Sequence, residues 1–139
     1  MPPRSSEPVD VSVVVATRNR AELLPGHLES LVRQELPPDL GYEVILVDDG
    51  SEDETPEVLA RACADRPDLL RWMSVPHAGM GLARNAGARA ARGRLLLFTD
   101  DDVIVPPSWV AGLVDLHARH GTAALSGGFD PLSTSARPE

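Results

Sequence analysis

Cysteine is almost missing from this chain. Cys63 stands alone among 139 residues, so no internal disulfide can form. It falls in an alanine-rich helical stretch and reads as a small core residue rather than a nucleophile. No apolar run approaches the ~18 residues that a membrane-spanning helix needs. The opening Met1-Pro2-Pro3-Arg4-Ser5-Ser6-Glu7-Pro8 lacks the apolar core of a secretory signal, so the expectation is a cytoplasmic chain with no membrane segment. An excess of positive charge is also missing. The formal net charge of −8 argues against a nucleic-acid or membrane-surface protein. It does not exclude an anionic ligand, because a metal ion or a helix N-terminus inverts the local field. Lysine is absent, all 13 basic residues being arginine, and there is no G-x-x-x-x-G-K-S/T segment, which removes a P-loop. No Cys/His cluster has zinc spacing, and no G-x-S-x-G elbow occurs. Gly79-Met80-Gly81 begins like a dinucleotide fingerprint, but its third glycine would fall at Arg84, so the pattern fails.

What remains is a chain of single-domain size in which strand and helix signals alternate. Val11 to Ala16 is a short β-branched run and a predicted buried strand. Asn19 is a candidate N-cap for a helix carrying Leu24, Leu28, Leu31 and Val32, ended by Pro37-Pro38. Val44 to Val47 predicts a second strand, and a helix starts near Thr55-Pro56. A third strand spans 70–75, a loop 76–81 and a helix 82–91, with Gly93 as its stop. A fourth strand spans 95–99. Pro106-Pro107 precede a helix from Ser108 to about Arg119, with Trp109, Leu113 and Leu116 on one face. A last strand is expected over 123–126, before Gly127-Gly128. This alternation implies an α/β fold, with a mainly parallel sheet and helices on both faces. Residues 9–130 form the folded unit, and 1–8 and 131–139 are expected to be flexible tails.

Three consecutive aspartates, Asp100, Asp101 and Asp102, follow the apolar run Leu95 to Thr99. In open α/β sheets ligands bind beyond the carboxyl ends of the strands. Clustered carboxylates there repel one another and call for a cation, and Mg²⁺ or Mn²⁺ commonly takes one or two carboxylates plus substrate phosphates. An acidic, solvated turn accounts for the triplet taken alone just as well. Asp48-Asp49-Gly50-Ser51 reads first as a turn, although a carboxylate there also suits an imide N–H such as that of uracil. Gly79 to Arg89 reads as a loop feeding a helix that packs closely on the sheet. Free N–H groups at its start, near Gly81, and the Arg84 guanidinium also suit a diphosphate.

Taken together and in order, four blocks resemble the N-terminal part of family 2 glycosyltransferases, which have the Rossmann-like GT-A fold. They are Val11 to Arg20, Glu43 to Thr55, Gly79 to Gly93 and Phe98 to Asp102. The last is similar to the family's D-x-D motif. The resemblance implies that Ala16, Thr17 and Asn19 line a nucleoside pocket, with Arg18 where an aromatic is common. It implies that Asp49 binds the base with Asp48 in support, and that Arg84 and Asn85 lie near the sugar diphosphate. Asp100 would contact the ribose or the metal through water, Asp102 would ligate Mn²⁺ or Mg²⁺ directly, and Asp101 would matter least of the three.

The implied activity is inverting, metal-dependent transfer of a sugar from a nucleotide-sugar, expected to be a UDP-sugar, to a saccharide, lipid or small-molecule acceptor. In the family the general base and most of the acceptor site come from the later half of the domain. No residue here matches that base, and the chain is expected to be the donor-binding half of a truncated domain. A non-catalytic nucleotide-binding module and another α/β nucleotide-binding protein, such as a nucleotidyltransferase, stay open as alternatives. An unpaired last strand would invite homo-oligomerisation.

Overall fold

The computed structural model describes residues 8–121. The strand expected over 123–126, Gly127-Gly128 and the tails other than Pro8 lie outside the described residues. Within them the chain alternates strand and helix: β1 (Val11–Thr17), α1 (Leu24–Val32), β2 (Tyr42–Asp49), α2 (Thr55–Asp65), β3 (Leu70–Val75), α3 (Met80–Ala90), β4 (Leu95–Phe98) and α4 (Trp109–His120). The four strands form one parallel sheet in the order β3-β2-β1-β4.

Side-chain alternation along the strands sorts the core into two layers. Val11, Val13 and Val15 of β1 and Val44 and Leu46 of β2 face one way, against Leu24, Leu28 and Leu31 of α1, Leu59 of α2 and Val110 of α4. Ala16, Ile45 and Val47 face the other way, against Ala83 of α3. Helices therefore cover both faces, three on one and one on the other. β1 is buried along its whole length, and each fully buried valine or leucine contributes roughly 1.5–3 kcal/mol. Cys63 is partly buried against the larger layer, as a small core residue would be.

Three local expectations are corrected. Asn19 does not cap α1, which begins at Leu24 with Leu23 at its N-cap. The Arg20 carbonyl accepts the N–H groups of Leu23 and Leu24, so a turn separates Asn19 from the helix. Asn19 instead adopts φ +52°, a left-handed conformation that asparagine tolerates better than most residues. Gly93 does not stop α3, which ends at Ala90 with an extended Ala91 beyond it. A Cβ at Gly93 would lie 2.5 Å from the Ser12 backbone nitrogen, so glycine is required there for close passage past β1. In α4, Leu116 is exposed, and the packed face is Trp109, Val110, Leu113 and Val114.

Candidate functional site

From β1 the chain steps to β2 and β3 on one side, then returns to place β4 on the other side of β1. The crevice beyond the carboxyl ends of β1 and β4 is therefore the point where strand order reverses, the place where open α/β sheets bind ligands. Thr17 ends β1 and the aspartate triplet follows β4, so both lie at this crevice.

The triplet divides by direction. Asp101 turns inward and is 5% exposed. It accepts a 2.7 Å hydrogen bond from Thr17 Oγ1 and lies 3.7 Å from Arg20 Nε. Burial of a carboxylate is tolerable only with such partners. Asp100 and Asp102 on either side are exposed. Arg84 of α3 reaches Asp100 at 2.9 Å, placing a guanidinium and the first turns of α3 beside the acidic loop.

Asp48 and Asp49 are both buried at the end of β2. As neighbours on a strand they face opposite sides of the sheet. Asp48 accepts from the Ser51 hydroxyl, from Ser51 N–H at 3.3 Å and from Ser74 Oγ at 3.4 Å. Ser51 Oγ in turn accepts the Asn19 N–H at 2.9 Å, and Asn19 Oδ1 accepts the Glu52 N–H at 2.8 Å. Further along, Thr55 Oγ1 accepts the Arg20 N–H at 2.9 Å. These bonds stitch the β1–α1 loop to the β2–α2 loop. Asp49 accepts from His77 Nδ1 at 3.0 Å, Ala78 N–H at 3.0 Å and Gly79 N–H at 3.2 Å. Burial alone would raise its pKa, but the Ala78 N–H, the His77 ring and the Gly79 N–H outweigh this and hold it below the ordinary carboxylate value. The 76–79 loop thus folds onto the rim, and Gly50 allows it. Its φ is +69°, and a Cβ there would meet His77 at 2.8 Å.

The remaining sequence candidates are spread along the rim. Ala16 is buried under α3, and Thr17 is buried with its hydroxyl committed to Asp101. Arg18 is half-buried, and its Nε has no hydrogen-bond partner among the described residues. Gly81 lies exposed in the first turn of α3, and Asn85 is exposed one turn on. Asp101, expected to be the least important of the triplet for ligand and metal, has its carboxylate bonded to Thr17 of β1. With three donors on it, Asp49 retains about one of a carboxylate's four acceptor positions.

Sequence reasoning passed over His27, Ser30 and Gln34 of the α1 segment. His27 shares the spacing of Leu24 and Leu31 and is fully buried with them, which is the signal that could have found it. It also passed over Glu43, buried at the opposite end of the sheet. Glu43 accepts from Ser12 Oγ at 2.7 Å and Arg92 N–H at 2.8 Å, with Arg71 Nε at 3.2 Å.

Among the described residues no three Asp, Glu, His or Cys side chains stand ready-made as a metal cage. The donor set still fits a hard divalent cation. Two exposed carboxylates flank an inward one, and Mg²⁺ or Mn²⁺ takes one or two carboxylates when substrate phosphates complete the shell. No helix among the described residues is long and apolar enough to cross a membrane.

Residues 12–135 match the family described as glycosyl transferase family 2. Validoxylamine A glucosyltransferase of Streptomyces hygroscopicus subsp. limoneus is 37% identical over 139 residues, covering 94% of this chain and 30% of that protein. Succinoglycan biosynthesis protein ExoO of Rhizobium meliloti (strain 1021) is 33% identical, covering 98% of this chain and 38% of that protein. The chain thus spans about a third of the length of these relatives. Among solved structures, the mannosyltransferase PcManGT from Pyrobaculum calidifontis, in complex with GDP-Man and Mn²⁺, superposes with TM-score 0.72 at 31% identity. It covers 84% of this chain and 34% of its own. TarS 1-349 of S. aureus in complex with UDP-GlcNAc gives TM-score 0.72 at 25% identity, covering 93% of this chain and 39% of its own.

Proposed function

The chain belongs to glycosyl transferase family 2 and has the GT-A fold, and on that basis we propose that it is the donor-binding part of an inverting, metal-dependent glycosyltransferase using a UDP-sugar. The observation that carries this reading is the split of the aspartate triplet. With Asp101 fixed to Thr17, the flanking Asp100 and Asp102 present two carboxylates at the strand-order switch, and Arg84 stands 2.9 Å from Asp100. Carboxylates and a guanidinium side by side suit a cation-bound diphosphate, which offers charge to both. The complexes of PcManGT with GDP-Man and Mn²⁺ and of TarS with UDP-GlcNAc support the same ligand class.

Asp102 would hold the cation directly and Asp100 through water or beside the ribose. Bound there, Mn²⁺ or Mg²⁺ supplies neutralisation of the charge that grows on the departing nucleoside diphosphate. Arg84 and the free N–H groups around Gly81 at the start of α3 face the same charge, with Asn85 one turn further. The nucleoside lies over Ala16 to Asn19, between the stitched loops. Asp49, supported by Asp48, meets the base through its remaining acceptor position and by holding the His77–Gly79 segment over the pocket. Arg18, half-buried, stands beside the base or ribose, with its Nε–H turned into the protein. Attack by an acceptor hydroxyl on the anomeric carbon needs a general base, and no residue of this chain is assigned to it.

Calorimetric titration with UDP and GDP, each with and without Mn²⁺, tests the reading. The expected result is UDP binding that Mn²⁺ strengthens about tenfold or more, with Asp102→Ala losing the Mn²⁺ effect. Absence of UDP binding, or equal affinities for wild type and Asp102→Ala in Mn²⁺, would overturn it. Preference for GDP would replace the base assignment alone.

A further inference from the structure

His27 lies in the middle of α1, on the stripe that also buries Leu24, Leu28 and Leu31, and has no solvent exposure. A fully buried imidazole among leucines is a cost unless its polar atoms are used. Its Nδ1 meets the carbonyl oxygen of Val103. A carbonyl only accepts, so Nδ1 carries the proton and donates, which fixes the neutral tautomer. Nε2 is left as a bare acceptor without a partner among the described residues.

Val103 is the residue directly after Asp102, and it opens a stretch of irregular backbone running to Pro107. Two prolines at 106 and 107 have no N–H to offer, so this stretch cannot satisfy itself. α1 and the residues just after it do so instead. Ser30 Oγ accepts the Val105 N–H at 3.2 Å. Gln34 donates from Nε2 to the Pro106 carbonyl at 2.8 Å and accepts the Val110 N–H at 2.9 Å. Glu35 N–H donates to the Pro107 carbonyl at 2.9 Å. His27 and Ser30 are neighbours on one face of α1, and Gln34 follows two residues beyond its end. The acidic loop is therefore held at two points: at Asp101 by Thr17, and just beyond Asp102, at the Val103 carbonyl, by His27.

We infer that His27 is a positioning residue for Asp102. Its bond to the Val103 carbonyl fixes the Val103–Ile104 peptide, one residue beyond the Cα that carries the Asp102 carboxylate, and by anchoring the chain there sets the affinity of the rim for a divalent cation. This rests on the proposed reading that Asp100 and Asp102 face such a cation. His27 itself touches neither cation nor substrate. Partners one step removed from a metal commonly change its affinity by 10–100-fold when lost.

The test is Mn²⁺ titration of the full chain in the presence of UDP, read by the electron paramagnetic resonance of free Mn²⁺. Circular dichroism establishes folding, and UDP affinity is measured without cation. His27→Leu keeps apolar bulk and removes the donor, whereas His27→Asn keeps an N–H at the δ position. The expected result is about tenfold weaker Mn²⁺ binding for His27→Leu, with cation-free UDP affinity unchanged, and recovery to within about threefold of wild type for His27→Asn. Ser30→Ala loosens the same clasp two residues further on and is expected to weaken Mn²⁺ about threefold. It decides the matter if His27→Leu does not fold. Wild-type Mn²⁺ affinity in a folded His27→Leu, or in Ser30→Ala where that variant decides, overturns the inference, as does equal loss in His27→Leu and a folded His27→Asn. If Asp102→Ala binds Mn²⁺ like wild type, the cation reading itself falls. If Asp102→Ala weakens binding and His27→Leu does not, only the role of His27 falls.

Discussion

Thr17 and Asp101 are 84 positions apart and share one 2.7 Å hydrogen bond inside the protein. Each is buried, so removing one strands the other. Asp101→Ala leaves the Thr17 hydroxyl without its acceptor and is expected to lower unfolding free energy by about 1–3 kcal/mol, read as a lower urea midpoint with unchanged slope. Asp102→Ala alters an exposed side chain and is expected to stay within about 0.5 kcal/mol of wild type. The two neighbours thus separate, one chiefly affecting stability and the other chiefly affecting cation binding. The D-x-D resemblance pointed at the outer aspartates because it matches residue types. It had no means of seeing that the middle one is held by a threonine from the first strand. Asn19 makes the same point. Its type suits a cap, but whether the helix begins there is decided by the turn at 20–23 and by bonds to Ser51 and Glu52.

At the scale of elements, the strands were legible because apolar runs bounded by turn residues leave few other choices. The third matches its expected span at both ends, and the second extends beyond its apolar run to Asp49 because the polar ends also pair in register. Helix ends were less legible, since they depend on what they meet. α3 shows why. Gly87 brings it so close to the sheet that an added Cβ would stand 2.5 Å from Val14 Cγ1 and 3.0 Å from Val47 Cγ2. Gly87→Ala is therefore expected to destabilise by about 1–3 kcal/mol despite alanine's better helix propensity. Thermal unfolding followed at the far-ultraviolet helix band checks it, and a rise in Tm would show that α3 shifts freely. The same helix carries Arg84, so the variant is also expected to loosen the contact with Asp100.

Across the whole molecule, three buried titratable groups give stability a definite pH dependence. Burial lowers the pKa of His27 below its ordinary 6.5, against the opposing pull of its bond to Val103 and the nearby aspartates. The unfolded chain then takes up a proton that the folded one refuses. This contribution is complete above about pH 6.5 and is lost as pH falls from there through the folded value. For Glu43, burial raises the pKa, but Arg92 N–H, the Ser12 hydroxyl and the two guanidinium groups prevail, and the net shift is downward, as it is for Asp49. Their contributions are present above the ordinary values of 4.5 and 3.8 and vanish as pH falls through the lowered ones. Unfolding free energies from urea titration are therefore expected to be level near neutrality, to fall below pH 6.5 by up to about 1.4 kcal/mol per pH unit for the histidine, and to fall again below about pH 4.5. A folded His27→Asn is expected to lack the first decline. Its persistence would assign that limb to another group.

The sequence by itself determined the alternation of strands and helices, the parallel sheet with both faces covered, and the gathering of polar residues at strand ends. All of these follow from local periodicity and from the rule that apolar faces must be buried. Only the tertiary structure decided which aspartate turns inward, that Asp48 and Asp49 spend their oxygens on serines and on the 77–79 loop, and that α1 clasps the chain beyond the triplet. Those outcomes depend on partners from 3 to 84 residues away. A buried polar group takes whichever donor or acceptor the packing of distant segments brings within reach, and spacing along the chain does not encode that.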